Sequence, residues 1–142
     1  MIKIIRLIFI FFIFSCMETT VSLENQLINS IEKVSPTVVS VSIESTTKDS
    51  EIRFGSGLII SNDGYILTNS HVIESGELGK IYVTLYGGEK HLCQIIGIDK
   101  LTDIALLKIN EINLNFTKLN PLIEVQRGQF VAALGNPHNL FS

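Results

Sequence analysis

Three observations predict an all-β fold for this chain. Short apolar runs alternate with polar residues, turns carrying glycine or asparagine separate the runs at regular spacing, and no helix-length pattern interrupts them after residue 36. A βαβ arrangement would instead put helical periodicity between successive strands, and none occurs there.

Ahead of the strands, Leu23, Leu27, Ile28, Ile31 and Val34 recur at helical spacing, which predicts one short amphipathic helix over 23–34. Ser35-Pro36 ends it, because the residue before a proline is driven out of the helical region. The period then changes. Val39, Val41 and Ile43 alternate with Ser40, Ser42 and Glu44, a half-buried strand. A polar loop from Ser45 to Ser50 leads to the run Arg53 to Ile60. Ser61-Asn62-Asp63-Gly64 is a strong turn signal, and Tyr65 to Thr68 is the strand after it. Ile81 to Tyr86, a Gly87-Gly88 turn, Lys90 to Ile98, Ile104 to Ile109 and Phe130 to Leu134 complete the set.

The 142 residues suffice for one domain with a real core. Lys and Arg number 11 against 14 Asp and Glu, so the net charge is −3, with no basic run. Such a balance gives no electrostatic reason to expect a nucleic-acid partner. No repeat or low-complexity tract divides the chain behind its first residues.

Those first residues read as an export signal. Lys3 and Arg6 form a cationic start, and Leu7 to Phe14 is an unbroken apolar run. A bilayer span needs about 20 apolar residues, so this run is short for a stable anchor. Ile13-Phe14-Ser15-Cys16 resembles the cleavage box of bacterial lipoprotein signals. The resemblance implies cleavage before Cys16 and a diacylglycerol on its thiol, which anchors the protein to a membrane facing the periplasm. An ordinary signal peptide, giving a soluble periplasmic protein, and an uncleaved anchor are the other readings. With Cys16 acylated, Cys93 stands alone in a strand pattern, where a cysteine usually serves as a small buried hydrophobe. No CxxC or His/Cys cluster suggests a metal, and no cofactor is expected.

Two residues carry the chemical reading. Thr68-Asn69-Ser70-His71-Val72 puts a histidine just past a strand, and Leu101-Thr102-Asp103-Ile104 puts an aspartate just before another. Acyl transfer by a serine needs an imidazole to take the hydroxyl proton and a carboxylate to hold the ring in the right tautomer. Strand ends hold such groups rigidly. On spacing alone His71 is as well a surface histidine, and Asp103 as well a turn residue.

The wider context carries a resemblance. Gly55-Ser56-Gly57, Asp63-Gly64-Tyr65-Ile66-Leu67-Thr68-Asn69 with His71-Val72, Ile98 to Lys108, and Gly128 to Pro137 ending in Gly135-Asn136-Pro137 resemble, in order, successive blocks of the HtrA (Deg) family of bacterial envelope serine proteases. The resemblance covers about residues 25 to 138 and implies a trypsin-like fold of two six-stranded β-barrels. It assigns His71 as general base and Asp103 as its orienting acid, with misfolded or unfolded proteins as substrates and, in relatives, trimers. Val72 stands where digestive and clotting proteases carry a disulfide cysteine.

The family's nucleophile lies in a Gly-Asn-Ser-Gly-Gly stretch, which these 142 residues do not contain. Ser56 lacks the nucleophile elbow, and Ser142 has no glycine cradle. The expected division is a signal peptide at 1–15, a linker and short helix at 16–36, and a truncated protease domain at 37–142. That domain holds the first barrel and the opening strand of the second. The family's PDZ domain is not expected. Two functions remain open: an envelope serine endopeptidase, and a catalytically inactive envelope lipoprotein whose half-barrel binds polypeptides. His91 is expected to face solvent, His138 to lie in a loop, and Asp99 to belong to the loop of Asp103.

Overall fold

The computed structural model describes residues 22–44, 53–73, 79–120 and 124–136. The chain separates into two units, Met1–Lys33 and Val34–Ser142. The segment expected to be an export signal, Cys16, His138 and Ser142 lie outside the described residues.

A helix over residues 22–34, α1, supplies the described residues of the first unit and ends on Val34, the first residue of the second. Its turns are tied by the Ser30 hydroxyl, which donates to the Gln26 carbonyl at 2.7 Å. Leu23, Leu27 and Ile28 on its apolar stripe are exposed.

The second unit opens with a single 3₁₀ turn at Ser35–Thr37, with proline in its first turn. Seven strands follow: β1 Val38–Glu44, β2 Arg53–Ile59, β3 Tyr65–Thr68, β4 Lys80–Thr84, β5 Lys90–Leu92, β6 Gln94–Asp99 and β7 Ile104–Lys108. All pairings are antiparallel, in the spatial order β5-β4-β1-β2-β3-β7-β6. The two ends of that order are neighbours in sequence, since only Cys93 separates β5 from β6. The predicted run Lys90 to Ile98 is thus one strand bent at a corner, its first half paired with β4 and its second with β7. The sheet thereby curls back on itself and leaves few open edges, the usual benefit of a barrel. Cys93 fixes the corner: its N–H and its thiol both donate to the Ile81 carbonyl, at 3.0 and 3.3 Å.

The core comprises Val39, Val41, Ile43, Ile59, Ile66, Ile73, Ile81, Val83, Cys93, Ala105, Leu107 and Ile109. β1 lies mid-sheet between β2 and β4, and Ser40 and Ser42 are buried along with its valines. The strand is therefore covered on both faces, where alternation alone predicted one. Past β7, residues 109–117 run along the β2–β3 hairpin. Ile109, Leu114 and Thr117 donate their N–H groups to the carbonyls of Gly64, Asn62 and Ile59 at 3.0, 3.1 and 2.9 Å. The Thr37 and Thr117 hydroxyls meet at 2.8 Å. The run Phe130 to Leu134, predicted as a strand, forms no ladder among the described residues. Phe130 and Val131 are exposed there, and no strand among the described residues pairs with them.

Candidate active site

β3 and β7 pair antiparallel with Thr68 opposite Ala105, so the end of β3 and the start of β7 lie side by side. This register brings two segments far apart in sequence to one point. After β3 the chain turns at once into a single helical turn, α2 (Ser70–Ile73), carrying His71. Gly55 on β2 makes room for that turn: a Cβ there would stand 2.5 Å from the Val72 side chain. Thr68 is anchored as well, its hydroxyl donating to the Ser56 carbonyl at 2.8 Å.

On the other side, Asp99 folds the turn leading into β7. Its carboxylate accepts the Leu101 N–H at 3.0 Å, the Thr102 N–H at 3.4 Å and the Thr102 hydroxyl at 2.7 Å. These bonds, the Thr102 hydroxyl first, lower its pKa. Asp99 thus serves the loop and does not touch the histidine. Asp103 closes the turn with φ +56°, a left-handed conformation that aspartate tolerates better than most residues.

His71 Nδ1 lies 2.7 Å from Asp103 Oδ2, and the His71 backbone N–H donates to Oδ1 at 3.0 Å. The Ser70 hydroxyl also donates to Oδ1 at 3.0 Å, and the Asn69 amide to Oδ2 at 3.1 Å. The Asp103 carboxyl is held down to about 2, first by the His71 backbone N–H and next by the His71 ring; burial acts in the opposite direction. An ionised carboxylate can only accept, so in the neutral ring the proton sits on Nδ1 and Nε2 keeps its lone pair. The pair is open to solvent, with side-chain exposures of 69% for His71 and 44% for Asp103. A histidine so held can take a proton at Nε2 from an alcohol brought beside it.

Beside Asn69 lies an open groove of about 460 Å³ with apolar walls that include Leu58, Leu67, Ile104 and Leu134. The described residues contain no group of three or more metal-ligating side chains.

The sequence candidates His71 and Asp103 are thus brought together. Ser56 is not joined to them: its hydroxyl accepts the Asn136 backbone N–H at 2.8 Å. Cys93 is buried, and burial pushes its thiol up to about 12, which suits a packed hydrophobe and not a nucleophile. His91 departs from expectation. Its register partner is Val83, which is fully buried, so the imidazole points the same way and is only 20% exposed. It sits between two carboxylates, with Nδ1 3.1 Å from Glu111 and Nε2 3.8 Å from Glu89. Sequence reasoning missed Asn69 and Ser70; the signal available was two polar residues directly before the histidine.

Residues 55–141 match the family model described as a trypsin-like peptidase domain. Among curated proteins, the chain is 45% identical over 86 residues to a probable periplasmic serine endoprotease, DegP-like, from Chlamydia muridarum. That alignment covers 61% of this chain and 17% of the relative. It is 38% identical over 120 residues to the serine endoprotease DegS of Haemophilus influenzae, covering 79% of this chain and 35% of that one. Among solved structures, a serine endoprotease from Yersinia pestis superposes with a TM-score of 0.67 at 39% identity. It covers 78% of this chain and 39% of that chain. The protein belongs to the trypsin-like peptidases, in their HtrA/Deg branch. The chain spans only about a sixth to about a third of the length of these curated relatives.

Proposed function

We propose that the protein acts as a serine endopeptidase of the bacterial cell envelope on misfolded or unfolded proteins. The observation that carries this reading is the 2.7 Å contact between His71 Nδ1 and Asp103 Oδ2, which leaves Nε2 facing away from the acid. In the reaction, Nε2 takes the proton of the family's serine hydroxyl, which these 142 residues do not supply, as that oxygen attacks the peptide carbonyl. Asp103 stays ionised, fixes the ring tautomer and stabilises the imidazolium that forms. The proton then passes to the leaving amine. Ser56 and Ser70 are unsuited to be that serine, because their hydroxyls are engaged with Asn136 and Asp103.

The location in the reading comes from the leader and from the relatives named periplasmic. Residues 1–15 direct export, Cys16 carries a diacylglycerol, residues 16–36 link to the barrel, and 37–142 are protease domain. Self-association, as in trimeric relatives, belongs to the same reading.

A second reading, a non-catalytic envelope lipoprotein that binds polypeptides, is favoured by one observation: no described serine is hydrogen-bonded to His71. Incubating the purified chain with unfolded casein and a fluorophosphonate separates the two. Casein fragments and a labelled serine support the endopeptidase; casein retained intact, with no label, supports the binding protein and sinks catalysis by this chain. Mass spectrometry of the mature N-terminus is expected to find a lipidated Cys16, and an unmodified peptide beginning elsewhere would remove the anchor.

A further inference from the structure

Each oxygen of the Asp103 carboxylate takes two hydrogen bonds, one from His71 and one from a side chain just before it. Oδ1 accepts the His71 N–H and the Ser70 hydroxyl, both at 3.0 Å. Oδ2 accepts the His71 ring at 2.7 Å and the Asn69 amide at 3.1 Å. The Asp103 carbonyl is held by the same two residues, from the Asn69 amide at 3.0 Å and the Ser70 N–H at 3.2 Å. Three consecutive residues therefore grip both the backbone and the side chain of an aspartate whose φ is +56°.

Such a grip has a physical purpose. The terminal torsion of an aspartate is broad and two-fold, so a carboxylate bonded to one neighbour can swing its plane with that neighbour. At 44% exposure, water also competes for both oxygens. The two donors from His71 belong to one residue and move with it. Donors from Asn69 and Ser70 fix the carboxylate plane independently of the ring.

We propose that Asn69 and Ser70 are positioning residues for the His71–Asp103 pair: together they lock the carboxylate so that Oδ2 alone meets Nδ1. The proposal rests on the reading of these two residues as the proton-handling pair. Neither side chain touches the reacting atoms; both act through Asp103. Ser70 is buried at 3% exposure with its proton committed to Oδ1, while Asn69 is exposed and contributes little to the core.

The test uses the full chain, isotopically labelled, in wild-type form and as Ser70→Ala, Asn69→Ala and Ser70→Thr, followed by nuclear magnetic resonance. The backbone amide spectrum establishes that each variant folds; exposed Asn69 supplies a variant that leaves the core alone should Ser70→Ala fail. The readouts are titration of the Asp103 side-chain carboxyl carbon and water exchange of the His71 Nδ1–H proton. In the folded alanine variants the carboxyl is expected to titrate above its wild-type value of about 2, and the ring proton to exchange several-fold faster. The threonine, which keeps a hydroxyl, restores wild-type behaviour. A purely structural role would leave both readouts unmoved in the folded variants, and that outcome overturns the proposal while the pair itself stands. Absence of a protected Nδ1–H in the wild type overturns the pair and the proposal with it.

Discussion

The Asp103 carboxyl titrates at about 2 where an ordinary aspartate has 3.8, because the ionised form gathers donors that the protonated form loses. A carboxyl lowered by folding stabilises the folded chain only while ionised. Its contribution is therefore complete above about 4 and is lost as pH falls toward about 2. Asp103→Asn removes this dependence, since an amide does not titrate. Urea midpoints at pH 5, 3 and 2 should fall more steeply in the wild type than in the variant. Asp99, also lowered, keeps some slope in both. Parallel midpoints in the two proteins would mean that the site's hydrogen bonds do not depend on the charge of Asp103. The expected effect is modest, because water screens so exposed a pair.

At the scale of elements, the β2–β3 turn shows what local signals do well. Ser61-Asn62-Asp63-Gly64 was legible because Gly64 needs φ +97°, and the turn delivers β3 in register for His71. The Ser61 hydroxyl accepts the Tyr65 N–H at 3.0 Å, and the Gly64 carbonyl accepts the Ile109 N–H at 3.0 Å. A Cβ at Gly64 would lie 2.7 Å from the Ile109 carbonyl oxygen. Gly64→Ala therefore combines left-handed strain with a backbone clash, and a loss of about 1–3 kcal/mol is expected in urea unfolding. An unchanged midpoint would show that the turn relaxes freely. The bent strand β5–β6 shows the opposite case. His91 and Cys93 are two residues apart, so one face must hold both; expecting the cysteine inside and the histidine outside broke the alternation. The structure puts both inward and leaves Leu92 58% exposed. Hydrophobicity misled there because the corner at Cys93, set by Ile81, overrides the apolar preference of its neighbour.

Across the whole second unit, legibility divides by range. β3 and β7 could be drawn from their apolar runs, and the candidate pair from its motifs. The meeting of His71 and Asp103 depends on Thr68 lying opposite Ala105, a long-range register that no local pattern encodes. The burial of Ser40 and Ser42, and the missing ladder at Phe130 to Leu134, were hidden for the same reason: each depends on what lies beside the strand. One long-range tie yields a direct prediction. The Ser56 hydroxyl on β2 accepts the Asn136 N–H at 2.8 Å, and Asn136 is 1% exposed. Ser56 also offers its carbonyl to Thr68, next to the histidine turn, so one residue joins the Gly135-Asn136 segment to the strand that positions the site. Ser56→Ala keeps the carbonyl and removes only the hydroxyl. It deprives a buried N–H of this acceptor, a local cost of about 1–3 kcal/mol. Amide exchange at Asn136 should then accelerate roughly tenfold or more, while Val41 and Ile66 in the barrel keep their protection. Equal exchange at Asn136 in both proteins would show that the segment is held by other contacts, and that Ser56 serves only its own strand.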